Sequence, residues 1–477
     1  MSDNKIKKNY VFQLSYQVLG VLIPIITMPY VSRVLGAEGV GVYSYTLSLI
    51  TYFTFFITTI GSYGQREIAL FPDDKEHCSR IFYEIVITKI RFGAISALVY
   101  YFFACVPNSN NIIYIVQLVF LFGYVIDIAW FFQGKQEFKK TVSRSIFFKI
   151  VCTVAIFTFV KTPDDLALYV LIMSLSVVLS NLSLYFFCGR CLTYSNSLHI
   201  KPFRHLKGCI KYFIPCIALE VYTVMDKSMI QWLTGSNIQN GLYEQANKII
   251  KICLMITTSL SAVKAPHITK LFGDNQAEEI KKSINQSFDF YSLLSFPICF
   301  GLFVVSENII PWYLGSGFNT VIILLRIFSF IILFTGLSNI IANQYLIPVK
   351  QENKFTIATV IASVLNVIIN SILIPRYGAF GAALASVVAE FIIFIVLYNF
   401  TRNVLDYKYL VQSMKKPFFA ATLMAIVIYW LKYLNFKMYF VVALQVLFGV
   451  FIYFSVLLIT KDQITLSFFK TLHRGSK

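Results

Sequence analysis

Runs of about 20 apolar residues recur along the whole chain, and each is long enough to cross roughly 30 Å of hydrocarbon as a helix. Fourteen such spans are predicted, at about 10–31, 40–63, 83–106, 112–133, 146–161, 167–188, 212–234, 242–265, 288–311, 321–347, 356–375, 379–401, 417–434 and 438–460. No polar block long enough for a separate folded domain interrupts them, so an all-α polytopic membrane protein is expected. The pattern is broken most heavily between Tyr212 and His267, where two spans are joined by the turn TGSNIQNG. These two spans carry Glu220, Asp226, Lys227, Glu244, Lys248 and Lys251 at depths where a charge is costly. Such residues are expected to face a wet cavity rather than lipid.

The polar connections set a topology. An even number of spans returns the C-terminus to the side of the N-terminus. The connections at 64–82, 134–145, 189–211, 267–287, 348–355 and 402–416, together with the termini, hold 28 Lys and Arg, whereas the other connections hold five (Arg33, Lys161, Arg376, Lys432 and Lys437). This asymmetry predicts that both termini are cytoplasmic. It also accounts for most of the +18 net charge, since a basic inner face suits anionic lipid headgroups, and nucleic acid is not implied.

Composition agrees: 57% of residues are hydrophobic, 13% are charged and the mean hydropathy is +0.70. The outer connections PNSNN, TPDD and GSNIQNG leave no room for a catalytic loop, so an enzyme is not expected. No Gly-rich phosphate loop with Lys-Ser/Thr is present, which argues against ATP, and no cofactor is implied. The nine cysteines show no framework spacing; Cys188 and Cys191 form a lone CxxC that reads as two buried thiols rather than a metal site. Lys5, Lys7 and Lys8 lead into a full-length apolar segment without a small-residue cleavage site, so no signal peptide is expected.

Three outer turns repeat a glycine pattern: Gly36 to Gly41, Gly235 to Gly241, and Gly378 to Gly381. Spans one and seven, each containing proline (Pro24 and Pro29 in one, Pro215 in the other), then open two six-helix halves with a substrate site between them. The expected divisions are 1–211 and 212–401 as six-helix lobes, and 402–477 as two additional helices with a tail. Pro24, Pro29, Pro215 and Pro297 are either hinges or static kinks.

Within the charged hairpin, Glu244, Lys248 and Lys251 are spaced i, i+4 and i+7 on one helix face. Two readings stay open. They form an ion-pair cluster that fixes helix packing, or they are cations held for an anionic headgroup with acids controlling their charge. Further intramembrane charges are Lys89, Arg91, Lys149 and Arg326, with Arg33 and Arg66 at span ends; Asp127 and Glu390 are acidic. The surplus of cations suits a phosphate-bearing substrate, although Lys89 and Lys149 are placed to snorkel to the interface. Candidate substrate-binding residues are therefore Arg33, Arg66, Lys227, Lys248, Lys251 and Arg326. No histidine lies in a span, so ion coupling would fall to Asp127, Glu220, Asp226, Glu244 or Glu390.

The segments NYVFQLSYQVLGVLIPIITMPYVSRVLGAEGVGVYSY (9–45), YGQREIA (63–69), DIAWFFQGKQEFKK (127–140) and FIPCIALEVYTVMDKSMIQWL (213–233) resemble the Wzx-type O-antigen and capsule repeat-unit flippases of the multidrug/oligosaccharidyl-lipid/polysaccharide exporter superfamily. The likeness runs over nearly the whole chain. It implies two six-helix lobes around a central cationic cavity plus two further helices, in a bacterial cytoplasmic membrane. It also implies alternating access that carries an undecaprenyl-pyrophosphate-linked oligosaccharide across the membrane, coupled to a proton or sodium gradient. Membrane lipids, a polysaccharide polymerase and assembly proteins are the implied partners. The alternative is a multidrug or cation antiporter of the same superfamily, for which an acidic cavity is expected.

Overall fold

Inside a bilayer no water is available to satisfy backbone groups, so each apolar run closes its own hydrogen bonds as a helix. A computed structural model describes residues 3–108, 111–193, 200–201, 203–274, 276–434, 436–462 and 465–466, with the side chains of 3–17, 190, 211–212, 214–222, 259–263, 265–267 and 277 outside the description. The described residues contain no strand. They form α1 (Asp3–Leu70), α2 (Lys75–Tyr100), α3 (Ile112–Val125), α4 (Ala129–Gly134), α5 (Phe138–Phe159), α6 (Leu166–Leu182) and α7 (Leu206–Thr234). These are followed by α8 (Asn237–Gly273), α9 (Ala277–Tyr313), α10 (Val321–Ile340), α11 (Glu352–Tyr377), α12 (Ala379–Thr401), α13 (Tyr407–Trp430) and α14 (Met438–Ile459).

The expected spans map onto these helices directly. The first two lie in α1, which breaks at Gly36 (φ 67°, ψ 178°), and the fourth is α3 continued by α4. Among the described residues, eleven segments are long and apolar enough to cross a membrane, one of them the double-length α1; the two spans of the charged hairpin are α7 and α8. Those two helices carry Asp226, Lys227, Glu244, Lys248, Lys251 and Lys264. The chain is a multi-pass membrane protein, and its outward face is as apolar as that requires. Phe451 is 70% exposed and Leu447 68%, which only a lipid environment makes tolerable.

The helices pack as two units, residues 1–231 and 232–477. In the first, α1 packs against α2, α3, α4 and α5, and α3 lies on α6. In the second, α8 packs against α9 and α10, and α10 lies on α12 as α3 lies on α6. The last two helices belong to this unit: α13 and α14 pack on each other and on α9, where Tyr453 donates to the Leu293 carbonyl at 2.9 Å. Asp406 caps α13 by accepting from the Tyr409 N–H at 3.0 Å, and this bond, with Lys281 at 3.5 Å, holds its carboxyl below the usual range.

The repeated turns share a backbone conformation. Gly36, Gly235 and Gly378 have φ of 67°, 66° and 55°, in the left-handed region that favours glycine. Each unit then places the start of a long helix beside a later turn. A side chain at Gly39 would touch Leu166 at the start of α6, while Gln239 Oε1 accepts from the Ala379 N–H at 3.0 Å at the start of α12. The same juxtaposition thus recurs in the two units.

Candidate functional site

In unit 1 a polar seam joins the second half of α1 to the end of α7. Ser228 Oγ lies 3.1 Å from Ser48 Oγ and 3.0 Å from the Tyr52 hydroxyl, and Tyr52 also points at Met225 Sδ at 3.6 Å. Asp226, one residue away, is 5% exposed, while Lys227 is half-buried. Adjacent residues on a helix point about 100° apart, so α7 turns its carboxylate inward here and its ammonium toward the margin.

In unit 2 the i, i+4 spacing on α8 is realised as an ion pair, with Lys248 Nζ 3.4 Å from Glu244 Oε1. Glu244 is buried and Lys248 half-buried; Lys251, a turn further on, is exposed. Tyr243 anchors this stretch, its hydroxyl 3.1 Å from Ser386 Oγ and its ring edge-on to Phe328. Glu244 and Lys248 are thus paired within α8, a contact that both readings of the charged hairpin accommodate.

The other candidates are spread over both units. Arg33 and Arg66 are exposed at opposite ends of the passes of α1. Arg326 on α10 is held in a cluster: Nη2 lies 3.0 Å from Glu307 Oε2, Nε donates to the Phe303 carbonyl at 3.1 Å, and Lys432 Nζ lies 3.5 Å from Glu307 Oε1. That cluster ties α10 and the α13–α14 connection to α9. Glu390 on α12 accepts from Thr335 Oγ1 at 2.8 Å, and the side chain of Glu220 lies outside the described residues. Asp127 sits where α3 gives way to α4 and accepts from the Ala129 N–H at 2.8 Å.

Lys89 does not snorkel. It is 1% exposed and its ammonium donates to the Asp127 carbonyl at 2.5 Å, an oxygen that the Trp130 indole also reaches at 3.2 Å. The second donor keeps that carbonyl satisfied without the lysine. Lys89→Met should therefore leave the melting temperature of the purified protein within about 4 °C of wild type or raise it, since exchanging a buried charge for an apolar isostere is often neutral or stabilising. A large drop in a detergent thermal melt would contradict this.

Two buried networks were not among the expected sites. Glu84 on α2 is fully buried; its Oε2 lies 2.6 Å from His205 Nε2 and its Oε1 accepts from the Lys201 N–H at 2.8 Å, while Tyr63 reaches His205 Nδ1 at 3.3 Å. Arg144 on α5 is 9% exposed and donates to the Ser180 carbonyl, to Ser180 Oγ at 2.8 Å and to Asn181 Oδ1 at 3.2 Å. An acid inside the apolar run IFYEIVITK signals the first; Arg144 gives no signal, being one more cation in a basic connection. No group of three or more His, Cys, Asp or Glu among the described residues could hold a metal ion.

Comparison with known proteins adds a family and a fold. A family model described as "Polysaccharide biosynthesis protein" matches residues 6–272, more than half of the chain. Relatives include a protein of Escherichia coli (strain K12) named "Putative O-antigen transporter", 23% identical over 84% of this chain and 99% of that protein. Another is the "Capsular polysaccharide biosynthesis protein CapF" of Staphylococcus aureus, 24% identical over 83% and 99%. Among solved structures, the lipid II flippase MurJ in an inward closed conformation aligns with TM-score 0.72 at 16% identity, over 96% of this chain and 99% of that one. An inward-facing multidrug resistance MATE family transporter of the MOP superfamily aligns at 0.60 and 13% identity, over 84% and 96%. The helices of this chain thus take the MurJ and MATE fold, and the chain belongs to the polysaccharide biosynthesis protein family, as its resemblance to the Wzx-type flippases leads one to expect.

Proposed function

We propose that the chain is a flippase that carries lipid-linked oligosaccharide repeat units across the cytoplasmic membrane by alternating access, for the synthesis of a surface polysaccharide. The observation that carries this reading is the family match over 6–272, more than half of the chain. Full-length relatives named for O-antigen transport and capsule synthesis support it. In this reading the termini are cytoplasmic, as the Lys/Arg asymmetry favours. The cations offered to the pyrophosphate along its path are Arg33, Arg66 and Lys227 in unit 1 and Lys248 and Lys251 in unit 2, because an ammonium or guanidinium binds phosphate strongly. Asp226, Glu244 and Glu390 are the acids offered for coupling to a proton or sodium gradient. A polymerase and assembly proteins would take over the flipped unit.

Lys227→Ala should lower surface polysaccharide roughly 10- to 100-fold at unchanged membrane abundance, the loss expected for one charge-assisted contact. Lys248 needs a paired test because Glu244 depends on it. Export that stays low in Lys248→Ala and remains low in Lys248→Ala/Glu244→Gln assigns the lysine to the substrate; recovery in the double variant assigns it to packing. Wild-type export in both lysine variants, or drug resistance in place of glycan export, would overturn the reading.

A further inference from the structure

A polar cavity in unit 1 plays no part in the transport scheme above. It measures about 470 Å³ and lies between the α3–α4 break, the first half of α5 and the end of α6. That volume is within the roughly 300–1,000 Å³ typical of ligand pockets. Asp127, Arg144 and Lys149 line it, with the hydroxyls of Thr141, Ser145 and Ser176. Two of its charged groups are held in place. Arg144 is held by Ser180 and Asn181, and Asn181 in turn donates to the Gly123 carbonyl at 2.9 Å. The Asp127 carboxylate is oriented by the Ala129 N–H. Two cations are thus presented from α5, and one carboxylate from the α3–α4 break.

The surroundings are the opposite. Phe122, Phe147, Ile150 and Val154, on the same helices, are 48 to 60% exposed, a surface for lipid chains. A ligand matching both is an amphiphile with its head in the cavity and its chains along α5. Paired cations recognise a phosphate, and a carboxylate beside them recognises a primary ammonium. We propose that this cavity binds the headgroup of an ethanolamine phospholipid, with the phosphate on Arg144 and Lys149 and the ammonium on Asp127. The site is independent of the transported substrate, so its test reads lipid binding and not export.

The full-length protein, purified in detergent, is titrated with phosphatidylethanolamine, phosphatidylcholine and phosphatidylglycerol of matched chains and with soluble phosphoethanolamine, and bound lipid is counted by native mass spectrometry. Phosphatidylethanolamine is expected to bind about tenfold or more tightly than the other two lipids, since N-methylation removes the N–H donors and glycerol lacks the amine. Asp127→Asn should erase that preference and Lys149→Met should weaken binding about tenfold. Ser145→Leu fills the cavity without touching a charge, and it should abolish binding while the lipid-free melting temperature stays near wild type. Equal binding of the three lipids, or unchanged binding in Lys149→Met and Ser145→Leu, would overturn the proposal. So would soluble phosphoethanolamine competing as well as the lipid, which would make the ligand a free phosphate ester.

Discussion

Glu84→Ala is expected to lower the melting temperature of the purified protein by roughly 5–10 °C and to reduce its membrane abundance. The carboxylate is fully buried and accepts from two donors, the Lys201 N–H at 2.8 Å and His205 Nε2 at 2.6 Å. Deleting it strands a backbone donor and an imidazole, and breaking a buried pair typically costs about 3–5 kcal/mol. In a chain this long that loss converts to only a few degrees per kcal/mol or less. The effect is structural at a particular place: Glu84 fastens the residues just ahead of α7 to α2, so α7 loses its fixed entry. Glu84→Gln keeps one acceptor oxygen and should cost less. Because Glu84 and His205 share one network, Glu84→Ala/His205→Ala should cost less than the sum of the single losses. A Glu84→Ala melt within 2 °C of wild type, or strict additivity, would show that the pair does not hold α7.

Most of the fold was legible because the bilayer imposes it. An apolar run that must satisfy its own backbone has one solution, and all fourteen expected spans are found in helices. The turn glycines were legible for a backbone reason, and Gly36, Gly235 and Gly378 share a positive φ. Helix ends were not. Hydropathy reports where hydrocarbon begins, whereas a helix ends where its cap lies. Thus α2 starts at Lys75, capped by Asp74 accepting from the His77 N–H, well before the expected start at 83, and α9 starts at Ala277 rather than 288. The site was legible only where partners are local. Glu244 and Lys248 are one helical turn apart, so spacing predicts their contact. Glu84 and His205 are 121 residues apart, and Arg326 meets Glu307 across a turn between helices; no periodicity encodes either. Arg144 was hidden by its neighbours, since a cation in a basic connection looks solvated until α6 closes over it.

The contact between α9 and α10 is close at Gly336 and should tolerate little added volume. A Cβ on Gly336 would lie 1.9 Å from Tyr291 Cε2 and 2.0 Å from Cζ. The ring has nowhere to go, because Tyr291 is 2% exposed and its hydroxyl accepts from the Gly336 N–H at 3.1 Å. Gly336→Ala is therefore expected to cost roughly 3 kcal/mol or more, at or beyond the upper end of core overpacking. It should appear as a lower melting temperature and lower membrane abundance. The damage should also reach the adjacent residue, whose Oγ1 donates to Glu390, so export should fall further than abundance alone explains if that acid couples transport. Tyr291→Phe keeps the ring and removes only the hydroxyl, so the added methyl should remain as harmful in that background. Tyr291→Leu removes the ring, and there Gly336→Ala should cost less than about 1 kcal/mol, giving a large coupling between the two positions. Equal costs of Gly336→Ala in the wild-type and Tyr291→Leu backgrounds would mean that the close approach does not set the packing of α9 on α10.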